Sequence, residues 1–253
     1  MSESFRYRAT LAYVGTFFHG WQRQSNADRT VQAVVEKALH RLTGGSVIVH
    51  ASGRTDTGVH ADGQVIHFDL PRRWLPLDVR EGVNSLLPWD ARFLDVREAA
   101  DVFHCRRDAL WKEYLYRWSR AEVVSPKDSL FVTPIVPGAE PSLMARAVRN
   151  LPGDRDFSVF GVRLPRGDTG RRDLHAVAIM ESGDEIRALF RGDGFLRGMV
   201  RSLCGVLADV ARSKVPPERM EQLLATGDRK LLSPKAPACG LTLVRVAYPG
   251  NLP

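Results

Sequence analysis

The chain has 253 residues, 44% hydrophobic and 26% charged, with 21 Gly and 15 Pro, a composition that belongs to a folded globular protein and excludes low-complexity and disordered classes. Lys and Arg number 36 against 29 Asp and Glu, giving +7, a balance that favours polyanionic partners and suits nucleic acid better than membrane. Only six of these cations are lysines, so arginine, whose planar fork suits phosphate and stacking, dominates.

No run of about 18 apolar residues occurs, and Met1 to Tyr13 lacks the order of a secretory signal, so a cytoplasmic protein without membrane contact is expected. Cys105, Cys204 and Cys239 are odd in number and widely spaced. Neither a disulfide framework nor a Cys-x-x-Cys zinc site fits them, and they read as buried or incidental thiols.

Apolar residues alternate from Arg6 to Tyr13, which predicts a first strand. From Val31 to Leu42 they recur at helical spacing, opening at Thr30 and closing at Gly44. Val47 to His50 and Gln64 to Leu70 read as strands, Val79 to Leu87 as a short helix ended by Pro88, and Arg92 to Arg97 as a strand. The second half opens with a strand over Asp108 to Ser119 and a helix with the stripe Met144, Ala147, Val148 and Leu151. A hairpin of Leu174 to Glu181 and Glu185 to Arg191 turns at Gly183-Asp184. Helices over Phe195 to Arg212 and Pro217 to Ala225 and a strand over Leu241 to Tyr248 complete the order.

With one extra helix, β-α-β-β-α-β thus occurs twice. The expected fold class is α+β: two ferredoxin-like, RRM-like βαββαβ repeats around a central mixed, mainly antiparallel sheet, with helices on one side and a basic cleft. Ala99 to Arg107 separates the repeats. This gives an N-terminal α/β domain over 1–104 carrying the Asp56 loop and a C-terminal α/β domain over 105–253 completing the cleft.

The segment Gly53-Arg54-Thr55-Asp56-Thr57-Gly58-Val59-His60-Ala61 lies between predicted strands, where glycines allow sharp turns and a short loop holds a carboxylate rigidly. Asp56-Thr57-Gly58 spells the aspartic-protease triplet, but one copy is present and Arg54 favours an ionised Asp56, opposing the shared proton of that class. A metal site at His60 and His67 matches no compact ligand spacing, so no metal is expected.

The longer string resembles the catalytic loop of the TruA family of tRNA pseudouridine synthases, with Thr57 where the family has alanine. Further blocks similar to the family run in order along nearly the whole chain. They are Tyr13-Val14-Gly15-Thr16-x-Phe18-His19-Gly20-Trp21-Gln22, Thr30-Val31-Gln32, Gly63-Gln64-Val65, and Phe103-His104-x-Arg106-x-x-Ala109-x-x-Lys112-x-Tyr114-x-Tyr116. Asp156-Phe157-x-x-Phe160, Gly194-Phe195-Leu196-x-x-Met199-Val200-Arg201 and Gly240-Leu241 follow.

The resemblance implies that Asp56 acts on a flipped-out uridine whose base is detached from C1′, rotated and rejoined through C5. A carboxylate suits this work as nucleophile or base, with no metal or redox cofactor. It further implies that Tyr114 stacks on the uracil and serves the C5 proton transfer, that Arg201 pairs with Asp56, that Arg54 fills the space of the extruded base, and that Leu241 contacts substrate. The implied partner is the anticodon arm of tRNA, at uridines 38, 39 and 40, with one tRNA touching both subunits of a homodimer.

Tyr116 reads as core. Arg197 and Arg201, four apart, are expected on one face of their helix. Arg163, Arg166, Arg171 and Arg172 around Leu164 to Gly170 form a candidate mobile phosphate-binding loop. Gly198, where the family carries a bulkier residue, is expected to weaken its helix by up to about 1 kcal/mol. The alternative to an RNA isomerase is a non-catalytic RNA-binding or chaperone module of the same fold.

Overall fold

The computed structural model describes residues 4–27, 29–164 and 166–250. Among these are ten strands and five α-helices, and the strand pairing is almost entirely antiparallel, so the fold class is α+β. The chain divides into two compact units, 1–110 with 243–253 and 111–242.

In the first unit, β1 (Phe5–Tyr13) lies between β3 (His60–Leu70) and β4 (Ala91–Glu98), antiparallel to both. Tyr13, at the end of β1, pairs with Ala61 and with Ala91. One rim therefore carries the entry into β3 and the entry into β4. Tyr7, Leu11, Phe68 and Phe93 are buried, as the period-2 alternation of β1 requires.

The first helix, α1 (Val31–Thr43), forms where its apolar stripe places it. Thr30 accepts from the Ala33 N–H, and Gly44 closes the helix at φ 75°. The predicted strand at Val47 to His50 is reduced to a two-residue β2 (His50–Ala51) paired with β3. The cause lies in α1: Glu36 Oε1 accepts from Val49 N at 3.1 Å and Gln32 Nε2 donates to Val49 O at 3.2 Å. Side chains of the helix thus satisfy backbone groups that a ladder would otherwise pair. α2 (Pro76–Leu86) starts three residues before the predicted Val79, because Pro76 takes the first helical turn, where its missing N–H costs nothing.

The second unit contains β5 (Trp111–Ser119), β6 (Thr133–Pro134), α3 (Pro141–Val148), β7 (Gly153–Asp156), β8 (Arg171–Ser182), β9 (Glu185–Gly192), α4 (Met199–Ala211) and α5 (Arg219–Thr226). The strands run β5-β9-β8-β7, all antiparallel, with β6 parallel to β5. The hairpin turns at Gly183-Asp184 as predicted, with Ser182 opposite Glu185. Leu151 lies beyond α3 but is buried with Met144, Ala147 and Val148.

Phe195 to Gly198 precede α4 instead of forming its first turn. Gly198 sits at φ 74°, a left-handed conformation that breaks the ladder before Met199. Gly198 is therefore the residue before the helix and no weak point within it, and Arg197 does not share a helix face with Arg201. The last strand, β10 (Leu241–Ala247), begins in the second unit and ends in the first. Gly63 on β3 is required there, since a Cβ would stand 2.4 Å from Val244 O.

Candidate active site

The loop from Ser52 to Val59 joins β2 to β3 and is fixed from both sides by buried polar groups. Ser52 N donates to Val65 O at 2.8 Å, and Ser52 Oγ donates to Gln64 Oε1 at 2.6 Å. Gln64 Nε2 in turn donates to Gly53 O at 2.8 Å. One buried side chain on β3 thereby holds both residues that lead into Arg54. Further on, the Thr55 and Tyr13 hydroxyls meet at 2.8 Å, and Val59 N closes a turn onto Asp56 O at 3.1 Å. Burial pushes the Tyr13 hydroxyl up to about 12, so it stays protonated.

The segment after β1 braces the loop from outside. Trp21 N donates to Thr55 O at 3.0 Å, Gly58 N to Phe18 O at 3.4 Å, and Gly15 N to His60 Nδ1 at 3.1 Å. Such approach needs glycine. A Cβ on Gly15 would lie 1.9 Å from Val59 O, and one on Gly20, already at φ 78°, would lie 2.9 Å from Thr55 O. The start of α1 secures the brace, because Val31 N and Gln32 N donate to Gly20 O and Trp21 O. Between these fixed flanks Asp56 is half-buried, while Arg54 and Thr57 are exposed. The result is a carboxylate on an immobile backbone beside an exposed guanidinium.

Sequence patterns located the loop but assigned no role to Tyr13, Ser52 or Gln64. The available signal was a glutamine in the apolar β3 run, since a polar side chain at a core position must find partners.

In the second unit Tyr114 is buried on β5, with its ring edge-on to Phe195 at 5.0 Å. Tyr116 is core, its hydroxyl 2.7 Å from Thr133 Oγ1 and donating to Pro237 O at 2.9 Å. Gly240 packs against that ring, where a Cβ would approach within 2.6 Å. Arg201, in the first turn of α4, donates from Nε to Ala236 O at 2.9 Å and accepts from Ala236 N at 3.0 Å. Leu241 is buried at the start of β10.

The four arginines grouped by sequence are not one loop cluster. Arg171 and Arg172 open β8 and are ion-paired, Arg171 with Asp154 at 2.9 Å and Arg172 with Asp168 at 2.7 Å. Strand pairing with β7 claimed them, since Arg172 faces Arg155 and Arg171 faces Asp156 in the register. Arg163 and Arg166 are exposed, while Pro165 between them lies outside the described residues.

Among the described residues one group of metal-ligating side chains converges, where the sequence predicts no metal site, and it does not include His60. His60 and His67 lie about 23 Å apart along β3. Instead His67, His104 and Cys105 come within 4.8 Å of one another, with His50 stacked on His67 at 4.7 Å. Cys105 N donates to His67 Nδ1 at 3.3 Å, and Arg106 N and Arg107 N donate to His104 Nδ1 at 3.2 and 3.3 Å. His67 Nδ1 also lies 3.1 Å from Cys105 Sγ, so the three side chains form one hydrogen-bonded cluster. Burial holds His67 at about 4, so its ring stays neutral within this hydrogen-bonded cluster. Cys105 and Cys204 are buried, whereas Cys239 is partly exposed.

Compared with known proteins, residues 9–108 and 147–249 match the sequence profile of the family described as tRNA pseudouridine synthase. The chain belongs to that family. Similar synthases include the tRNA pseudouridine synthase A of Nitratidesulfovibrio vulgaris, 38% identical over 96% of this chain and 97% of its own length. The synthase of the same name from Listeria monocytogenes is 39% identical over 96% and 99% of the two chains. That of Syntrophotalea carbinolica is 40% identical over 95% of each. Membership in the synthase family makes the chain an isomerase of tRNA uridine. The fixed loop around Asp56 falls within the first matched stretch. No helix among the described residues is long and apolar enough to cross a membrane.

Proposed function

We propose that this synthase converts uridine to pseudouridine at positions 38, 39 and 40 of the tRNA anticodon arm, using Asp56 on a flipped-out base. The observation that carries the assignment is the double bracing of the Asp56 loop. Backbone and side-chain bonds on both flanks hold the backbone that carries the Asp56 carboxylate before substrate arrives, which suits a charged group that must be pre-positioned for a transition state.

The reaction conserves composition and oxidation state. The N1–C1′ bond breaks, the uracil turns, a C5–C1′ bond forms, C5 loses its proton and N1 gains one, so no co-reactant enters. An ionised Asp56 serves as nucleophile at C6 or C1′ or as base at the ribose. Arg54, exposed two positions away, is placed to occupy the gap left by the extruded base, where a guanidinium can stack and bind phosphate together. Extrusion costs a few kcal/mol and least in loops, which favours an anticodon arm.

Tyr114 is assigned to stacking on the uracil and to the C5 proton, Arg201 to holding the Asp56 carboxylate ionised, and Leu241 to substrate contact, each on the family resemblance of its motif. A cytoplasmic homodimer engaging one tRNA completes the reading. The test is pseudouridine mapping of unmodified tRNA transcripts incubated with wild type and Asp56→Asn, with nothing else added. Conversion at 38 to 40 by wild type alone is expected. Conversion by both proteins would remove Asp56 from the chemistry, and tight binding without conversion by either would leave an RNA-binding module.

A further inference from the structure

Two large rings stand together on the surface of the first unit. Phe17 is 46% exposed and Trp89 is 67% exposed, and they meet edge to face with centroids 5.6 Å apart. Single exposed apolar residues are ordinary, but this pair is built. Arg29 donates from Nη1 to Phe17 O at 2.7 Å and from Nη2 to both carboxylate oxygens of Asp90 at 2.8 and 2.9 Å. Asp90 is buried, its carbonyl accepts from Val14 N at 2.9 Å, and the Arg29 guanidinium lies 4.3 Å over the Phe18 ring. One arginine thus clamps the segment carrying Phe17 to the segment carrying Trp89. A second, Arg92, wraps back onto the carbonyls of Pro88 and Ala91 beside Trp89.

The pair occupies the rim that carries Asp56. Tyr13 ends β1 opposite both Ala61 and Ala91, so Phe17, Trp89 and the loop entering β3 share that end, and Phe18 bonds the loop directly through Gly58 N. Rigid exposed rings flanked by arginines are what single-stranded RNA binders offer to unpaired bases, because every base has a π-face and no particular edge must be read. Two partly exposed rings offer a few hundred Å² at most, well short of the roughly 800 Å² per partner in a stable protein interface.

We propose that Phe17 and Trp89 form a stacking platform for an unpaired base of the tRNA substrate, separate from the uridine that reacts. The inference rests on the reading of this chain as a tRNA uridine isomerase and adds to it a base contact that tolerates any sequence.

The experiment is titration of wild type, Phe17→Ala, Trp89→Ala and Trp89→Phe with an unmodified tRNA transcript across a salt series, with turnover, sedimentation and thermal midpoints measured in parallel. Trp89→Ala is expected to weaken binding by about 5- to 150-fold, the range of one lost base–aromatic stack. The loss should fall on KM more than on kcat, and Trp89→Phe should recover most of it. The slope of log K against log salt should stay at its wild-type value, since an uncharged ring releases no counterions. Affinities within twofold of wild type in both alanine variants would overturn the platform while leaving the isomerase reading intact. A fall in affinity that tracks loss of a dimer would assign the rings to an interface between copies. Failure of wild type to bind tRNA would overturn both readings.

Discussion

The hydroxyls of Tyr13 and Thr55 meet at 2.8 Å in the interior of the first unit, one residue from Asp56. Tyr13→Phe strands the Thr55 hydroxyl in a buried site and should cost about 1–3 kcal/mol of stability. Displacement of the adjacent carboxylate should lower kcat roughly tenfold or more while KM changes little. The double variant Tyr13→Phe/Thr55→Val removes both polar groups and should recover part of the stability but not the rate. Chemical denaturation with single-turnover kinetics separates the two effects, and a Tyr13→Phe enzyme with wild-type kcat would show that the contact does not position Asp56.

Three glycines should rank by what a Cβ would meet. On Gly15 it lies 1.9 Å from the Val59 carbonyl oxygen, on Gly20 it lies 2.9 Å from that of Thr55 at φ 78°, and on Gly44 at φ 75° it meets nothing within 4 Å. Gly44→Ala should cost about 1–2 kcal/mol, the penalty of the left-handed backbone alone. Gly15→Ala should cost more than about 3 kcal/mol because backbone itself must move, with Gly20→Ala between. Only the Gly15 and Gly20 changes should depress turnover, since they alone press on the Asp56 loop. Equal melting shifts for all three would refute the ranking.

Much of this was legible in the sequence wherever one local signal decided the outcome. The stripe of α1, its Thr30 cap and Gly44 stop, the alternation of β1 and the Gly183-Asp184 turn all appear where periodicity and turn chemistry put them. The failures have tertiary causes. Val47 to Val49 looked like a strand, but Gln32 and Glu36 took the backbone groups of Val49 from across the unit. The apolar stripe predicts a helix from Phe195, but the left-handed φ of 74° at Gly198 makes Met199 its first residue. The Asp56 loop was readable as a motif, but Tyr13, Ser52 and Gln64 hold it across up to 42 residues of chain. Ser52 and Gln64 lie within 12 residues of each other, but Tyr13 is 42 residues from Thr55, beyond any local window.

Acid should weaken the fold in two separable steps. Burial lowers His67 from its ordinary 6.5 to about 4, helped by the neighbouring His50 and Arg6. The unfolded chain therefore takes up a proton below 6.5 that the folded ring refuses until about 4, and stability falls as pH falls through that window. His104 is also lowered by burial and adds to the same fall, so each ring contributes at most about 1.4 kcal/mol per pH unit and His67→Gln should reduce the slope without abolishing it. Glu185, held at about 2 by Arg117 with Arg187 also contributing, loses its stabilisation only between 4.5 and 2. Glu185→Gln should leave the upper step untouched. An unchanged slope between 6.5 and 4 in His67→Gln would show that His67 is not one of the groups titrating there.

The four arginines around Leu164 to Gly170 should separate in a salt titration of tRNA binding. Arg163 and Arg166 are exposed, whereas Arg171 and Arg172 are already held by Asp154 and Asp168. A cation that meets a phosphate releases counterions, so Arg163→Ala and Arg166→Ala should each reduce the slope of log K against log salt by about 1 and weaken all tRNAs alike. Arg171→Ala and Arg172→Ala should leave the slope near wild type and change stability little, as is usual for ion pairs near the surface. Binding isotherms at four or five salt concentrations decide the matter. A full unit of slope lost in Arg172→Ala would mean that it leaves Asp168 for phosphate when RNA binds, and equal slopes in all four variants would place the RNA path elsewhere.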